Sequence, residues 1–589
     1  MYEMPVTAVD PLPLAEPDLK PRRRLAVCQA ILVGFTLLII FQFVRWQVIE
    51  RNRLIAELAN GQPYREEIPS QRGLILDRNQ AVLALNNYDY TIEAAPIMIP
   101  ESDTGNVAAS LAGVLGRPQG ELAEVLKGDG FYAQVERHVP REVGKQVIAL
   151  NQPGIFVYPV PVRVYPEHTL AAHLLGFVAG DEEEGTKGYC GVEGFYDQAL
   201  KGQSGLREGR WDPWGQPVSF ADKRAHNWRI PQEGNTLVLT IDRTIQYLVE
   251  QELREAIERY GAESGCIVVM DPKTGALLAS ASYPTYDPNH FAVTDQGLFV
   301  DPVVGKHYEP GSTFKIFTMA AALDSNVVQP SNVYNDVGYI EVGGRVIQNW
   351  DKAANGMVTM TDILVHSLNT GIAHVSTLLG PGPFYHYVNR FGFGYKTGVD
   401  LEGEAKGTTR EQGDPEWHES DLGTNSFGQG LAVTPLQVVV AAGAVANRGF
   451  VMQPYVVERL EAKDTWVQAK QVAVRQAISE ETARTLTEMM VQVVERGATK
   501  AKVNGYRIAG KTGTAQTPVV GGYDPNLTIA SFVGFAPADD PQFVALVKLD
   551  KPTVSPWGTD TAAPTFANVA RILFTQLAIP PDDFRLAAN

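Results

Sequence analysis

Cysteine is nearly absent: the chain has 589 residues and 3 cysteines, Cys28, Cys190 and Cys266. So few thiols exclude a disulfide framework. Cys28 lies in an apolar run, so at most one bridge, Cys190 to Cys266, could form in an oxidising compartment. Two separate thiols is the simpler reading, because Cys266 sits in the apolar stretch GCIVVM. The metal-binding spacings His-Glu-x-x-His and Cys-x-x-Cys do not occur, and His168 and His173 read as ordinary surface or packed side chains. Neither a metal nor a cofactor is expected. Positive charge is in deficit, with 50 Lys and Arg against 67 Asp and Glu and a formal net charge of -17. That balance argues against nucleic acid or an anionic membrane surface as the main partner. Internal repeats and low-complexity tracts are also missing, so repeat architectures are excluded.

Long apolar runs are scarce too, and the exception is informative. Leu25 to Val44 passes twenty residues without a charge, enough at 1.5 Å per residue to span a hydrocarbon core of roughly 30 Å. Arg22, Arg23 and Arg24 abut its N-terminal end, so residues 1–24 are expected in the cytoplasm and the chain after Arg45 outside it. A cleaved signal peptide is the competing interpretation. The run is longer than a signal core, and no small-residue cleavage pattern follows in WQVIERNRLIAELANG.

The remainder is long enough for two or more domains. Helix-forming residues continue to Asn60, Pro69 to Gly73 breaks the pattern, and LILDRNQAVLALN alternates like a strand pair around Asp77-Arg78-Asn79. Ser204 to Gly234 has no sustained period and reads as a long exposed connection. A boundary near Gly234 therefore divides residues 45–233 from a mixed α/β region over 234–580, with 581–589 as a tail. In that region TLVLTI, CIVVMD, ALLASAS, TIASFVGFAP and FVALVKLD read as strands. Thr244 to Tyr260 and Thr565 to Leu577 read as helices, an antiparallel sheet packed with helices.

Three motifs occur in order: Ser312-Thr313-Phe314-Lys315, Ser367-Leu368-Asn369 and Lys511-Thr512-Gly513-Thr514. Ser312 is the only serine with a lysine three residues on, and Ser367 the only one with an asparagine two residues on. Pro310-Gly311 precedes Ser312 and a buried helix follows it, so the serine is expected where backbone N–H groups favour negative charge. Lys315, one turn on, faces it. Desolvation would leave this lysine neutral and able to take the serine proton. Taken alone, such a lysine is more often a surface group on an amphipathic helix. Ser367 could relay a proton, and the Asn369 amide could bond both a peptide carbonyl and the lysine.

Lys-Thr-Gly occurs three times. Lys273 falls in a hairpin turn and Lys396 in a Gly-rich loop. Lys511 alone sits in an apolar strand context, YRIAGKTGTAQT, where Gly510 and Gly513 leave room for a substrate backbone. Lys511 with the hydroxyls of Thr512 and Thr514 would bind a substrate carboxylate, and the N–H groups of Ser312 and Thr514 would form an oxyanion hole. Gly428 and Gly430 lack a phosphate-loop lysine and mark packing or a turn.

With these motifs, the chain resembles the class B penicillin-binding proteins. Further stretches carry the resemblance: Arg72-Gly73 with Asp77-Arg78-Asn79, Arg163 with Tyr165-Pro166, Gly191-x-Glu193, Tyr308-Glu309-Pro310-Gly311, Thr434-Pro435-x-Gln437 and Ser531-Phe532-x-Gly534-Phe535. Gln80 departs from the glycine usual after Asp-Arg-Asn. The resemblance implies an α/β (α+β) transpeptidase domain of the penicillin-binding and serine β-lactamase type, raised on an elongated pedestal or dimerisation-type domain behind a membrane helix. It implies a peptidoglycan D,D-transpeptidase: Ser312 attacks a stem peptide ending in D-Ala-D-Ala, D-Ala leaves, and a neighbouring amine resolves the acyl-enzyme. β-Lactams would acylate the same serine. The implied partners are stem peptides on lipid-linked nascent glycan, a SEDS-type polymerase and other divisome or elongasome membrane proteins. Ser-x-Asn leans toward the division septum over elongation. A β-lactamase and a non-catalytic sensor or scaffold are the competing classes. The first would not need some two hundred residues before its catalytic region, a sensor would couple to a cytoplasmic effector for which the tail before Leu25 is short, and a scaffold would be supported if Ser312→Ala sustained growth.

Overall fold

A computed structural model of the chain describes residues 19–54, 63–68, 70–181, 185–211, 217–218, 228–519 and 522–587. The described residues fall into two compact units, one drawn from within 1–69 and 204–231, the other from within 70–203 and 232–589.

In the first unit the helix Leu19–Val44 continues as a wider turn, Arg45–Ile49. Arg23–Ile49 is long and apolar enough to cross a membrane. Helical backbone resumes at 51–54, and the continuation expected to Asn60 lies outside the described residues. The expectation of an irregular connection after Ser204 is corrected. Gly205–Trp211 is a strand, paired antiparallel from Pro63↔Arg210 to Ile68↔Gly205, and Trp228–Arg229 and Pro217–Val218 pair with it. Neither PYREEI nor GLREGRW alternates apolar and polar residues, so the usual mark of a strand is missing and only the distant partner defines it.

The second unit is organised by two sheets. A five-stranded antiparallel sheet has the spatial order Leu277–Tyr283, Ser264–Met270, Phe543–Asp550, Gly522–Ala536, Ala509–Val519. Where its inner strands are covered on both faces, in Ser264–Met270, at 529–536 and at 543–547, they are mostly apolar. On one face Ile267, Val269, Phe532 and Val547 meet the helices Arg243–Tyr260 and Ala562–Gln576. Asp242 caps the first of these by accepting from the Thr244 and Ile245 amides. On the other face Val268, Met270, Val533 and Leu546 join a core that contains the helices Lys315–Asp324 and Pro435–Ala446.

The second sheet crosses the expected boundary. Thr236–Leu239 pairs parallel with Ile75–Leu76 and antiparallel with Val457–Ala462, and the sheet extends through Val82–Ala94 to Ala133–Val139 and Ile155–Val164. Gly234 thus lies inside one compact unit. Gly73 shows how close the packing is: a Cβ there would stand 1.9 Å from the Asn235 carbonyl oxygen.

The scattered residues before Gly234 converge. Arg72 and Arg163 both donate to the fully buried Glu193 carboxylate, at 2.7 Å each, and Arg72 also donates to Asp197 at 2.7 Å. Asp77 accepts from the amides of Asn79, Ala81 and Arg243, tying its turn to the start of the helix Arg243–Tyr260. Gln80 in that turn has φ 70°, the left-handed conformation glycine takes at least cost. The cysteines are unbridged: Cys190 is half-buried and Cys266 buried.

Candidate active site

Ser312 lies in a short 3-10 turn, Gly311–Phe314, that runs directly into the α-helix Lys315–Asp324. Three residues per turn align positions i and i+3, so Ser312 and Lys315 stack on one line. Aromatic packing of Phe314 and Phe317 on Phe391 and Phe393, with centroids 4.9–5.6 Å apart, holds the turn from behind. Gly311 has φ 56°, and its amide donates to the Gly428 carbonyl at 3.1 Å. A Cβ on Gly428 would lie 2.3 Å from the Gly311 oxygen, which makes Gly428 a packing residue.

Lys315 is wholly buried, and its Nζ donates to Ser367 O at 2.6 Å, Asn369 Oδ1 at 2.8 Å and Ser367 Oγ at 3.3 Å. From the far side Lys511 Nζ donates to the same Ser367 Oγ at 3.0 Å. One hydroxyl therefore stands between two buried amines. Burial pushes both below the ordinary lysine range: Lys511 falls to about 7, and Lys315 is depressed well below 10.5 by burial and then by repulsion from Lys511.

Ser367 owes its place to a helix ending. The helix Met360–Val365 closes with Leu368 N to Ile363 O at 2.9 Å and Ser367 N to Leu364 O at 3.3 Å, the paired bonds of a Schellman motif. The left-handed residue of that motif is usually glycine, yet here it is Ser367, φ 56°. Such a conformation costs about 1–2 kcal/mol in a residue with a Cβ, and strain of this kind concentrates at functional sites. Asn369 opens the next helix, Asn369–Leu379, and its Nδ2 donates to Gln348 O at 3.1 Å. Behind it, buried Asp336 accepts from Thr370 Oγ1 and Asn349 Nδ2, both at 2.8 Å.

Lys511 to Thr514 lie on the edge strand Ala509–Val519, where side chains alternate. Lys511 and Gly513 are buried, while Thr512, Thr514 and Gln516 are half-buried. A Cβ on Gly513 would meet Ser531 Oγ at 2.3 Å and Thr313 Cγ2 at 2.9 Å, so only glycine lets the strand lie against the Ser312 turn. The Thr514 carbonyl oxygen would stand 3.0 Å from a Cβ on Gly311. N–H and C=O of one residue in a strand point the same way, so the Thr514 amide also faces that turn. Thr514 Oγ1 accepts from Gly558 N at 3.1 Å, leaving its own hydrogen to donate.

The other two Lys-Thr-Gly copies lie apart: Lys273 is exposed and paired with Asp540 at 2.6 Å, and Lys396 is exposed. His168 contacts Asp287 and His173 packs edge-on against Tyr286, so the two do not form a shared site. Sequence reasoning missed Gln348, Asn349, Asp336, Gly558 and Gln516. Gln516 was legible, being two residues beyond Thr514 in a strand. The others carry no motif and reach the site only through long-range contacts.

The fold and the constellation of buried lysines around one serine define a serine acyltransferase of the penicillin-binding kind. Residues 265–571 match the model of the penicillin binding protein transpeptidase domain, and 67–239 match the penicillin-binding protein dimerisation domain. The chain is 34% identical over 524 residues to stage V sporulation protein D of Bacillus subtilis, covering 87% of this chain and 79% of that protein. It is 30% identical over 569 residues to the peptidoglycan D,D-transpeptidase FtsI of Escherichia coli, covering 94% and 92%. Among solved structures it is similar to penicillin binding protein 3 of Mycobacterium tuberculosis complexed with aztreonam, with 27% identity, a TM-score of 0.67 and coverage of 88% and 98%. The chain belongs to the class B penicillin-binding proteins and is a peptidoglycan D,D-transpeptidase of that family.

Proposed function

We propose that Ser312 is the acylated nucleophile of a membrane-anchored D,D-transpeptidase that cross-links stem peptides in septal wall synthesis, and that β-lactams acylate the same residue. The observation that carries this is the convergence of Ser367 and Asn369 on Lys315, one turn from Ser312, with Lys511 on the far side of the Ser367 hydroxyl. Neutral Lys315 takes the Ser312 proton as Oγ attacks the penultimate carbonyl, a role worth about 10²–10⁴-fold in rate. Ser367, which accepts from Lys511 and from the Lys315 ammonium so formed, passes its own proton to the departing D-Ala amine and takes the replacement from Lys315. The amides of Ser312 and Thr514 take the oxyanion, each donor worth about 2.7–4 kcal/mol in the transition state. Lys511, Thr512 and Thr514 hold the terminal carboxylate, and Gly513 admits the peptide backbone. A second stem's amine then attacks the acyl-enzyme and restores Ser312.

In this reading Arg23–Ile49 is the anchor, the three arginines before Leu25 keep the N-terminus cytoplasmic, and residues 45–233 form the pedestal-type region that precedes the catalytic residues 234–580. A SEDS-type polymerase and other divisome proteins are the partners, and Ser-x-Asn supports the septal branch. Fluorescent penicillin tests the chemistry: the wild type labels and Ser312→Ala does not. Equal labelling of the two refutes it. Depletion of the protein, rescued by wild type and not by Ser312→Ala, should give unseptated cells. Rounded cells with normal septa would assign it to elongation.

A further inference from the structure

A groove of about 340 Å³ adjoins the catalytic groups and is lined by Asn369, Thr514, Gln348, Gln516 and Arg345 among others. Arg345 is the one charged side chain in that lining. It begins the strand Arg345–Gln348, which pairs with Tyr339–Val342 across the two-residue turn Gly343-Gly344. Both glycines have positive φ, 55° and 78°, as a tight hairpin requires. A Cβ on Gly343 would lie 2.3 Å from the Ser420 amide, so the hairpin tip is seated on the helix Glu419–Asn425. Arg345 is thus presented by an anchored element.

In a chain with an excess of acids, Arg345 has no carboxylate within ion-pairing distance among the described residues. An unpaired guanidinium in a groove beside catalytic groups suits a planar anion, which it can grip with two hydrogen bonds. The spacing sets where that anion lies. Gln348 O bonds Asn369 Nδ2 at 3.1 Å, and three strand residues of about 3.3 Å each put Arg345 roughly 10 Å farther along. A peptide extended in the groove covers that span in about three residues.

We propose that Arg345 binds a second carboxylate of the peptide substrate, about three residues from the scissile bond and distinct from the terminal carboxylate. The assignment rests on the transpeptidase reading and specifies its substrate: the stem carries a free acid, rather than its amide, at that position. The exposed rings of Trp350 and Trp557, 5.0 Å apart at 61°, supply an apolar wall of the same groove.

The test uses the full-length chain in detergent and two synthetic thioester donors that differ only in a free or amidated carboxyl three residues from the scissile carbonyl. Wild type should favour the acid. Arg345→Ala should lose about tenfold to a hundredfold in kcat/KM on the acid, mainly through KM, and nothing on the amide. Arg345→Glu should prefer the amide. Acylation by fluorescent penicillin, which has no carboxyl at that position, should stay at the wild-type rate in both variants and report that they are folded. Equal changes on both donors, or no change on the acid, overturn the proposal. Absence of penicillin acylation in the wild type overturns the transpeptidase reading instead, and this inference with it.

Discussion

Replacing Ser367 by glycine and by alanine separates catalysis from stability at one residue. Both substitutions remove the Oγ that lies 3.3 Å from Lys315 and 3.0 Å from Lys511, and both should slow penicillin acylation by about 10²–10⁴-fold. They differ in backbone. At φ 56°, alanine keeps the left-handed penalty of about 1–2 kcal/mol. Glycine is free of it, but gives back about 0.5–1 kcal/mol through the greater entropy of its unfolded chain. The glycine variant should therefore be more stable than the alanine variant by about 0.5–1 kcal/mol. Unfolding entropy near 2.1 cal/mol/K per residue, over a compact unit of about five hundred residues, makes that a shift of about 1 °C at most. Scanning calorimetry of the two variants side by side reads the shift, and stopped-flow acylation reads the rate. An alanine variant as stable as the glycine variant would show that the backbone there is unstrained. Wild-type acylation in either would remove Ser367 from the proton path.

Two further outcomes follow from the geometry. A plot of kcat/KM against pH should be bell-shaped: it falls on the acid side as Lys315 is protonated, and on the alkaline side, from about pH 7 in the free enzyme, as Lys511 loses the charge that holds the substrate carboxylate. Because the folded state holds Lys511 near 7 and the unfolded chain near 10.5, the unfolded state binds the extra proton between those values, and stability should rise with pH through that window. A flat rate profile from pH 6 to 10 would refute both lysine roles. Glu193→Gln should cost about 3–5 kcal/mol, since it leaves the buried guanidinia of Arg72 and Arg163 without their shared charge. Denaturant midpoints test this, and a loss below 1 kcal/mol would mean that neighbouring acids such as Asp197 compensate.

Local chemistry made much of this protein legible in one dimension. Apolar runs such as CIVVM and FVALVKLD were legible as strands and Thr244 to Tyr260 as a helix, whereas the Asp242 cap and the cover on both faces of the sheet came from the structure. Ser-x-x-Lys is readable because one turn brings its ends together whatever surrounds it. The strand Gly205–Trp211 was not legible, because its partner lies about 140 residues away and no alternation marks it. Nor was the division near Gly234 settled by composition, since a strand on either side joins one sheet.

Which groups are available, and in what order, follows from the amino-acid sequence, because side-chain chemistry and short-range spacing travel with the chain. Folding, by contrast, places Ser367 between Lys315 and Lys511, keeps Lys273 and Lys396 away from it, and brings Arg345 to the same groove. Those outcomes depend on burial and on contacts between residues 52 to 144 positions apart, and neither can be read from neighbours in sequence.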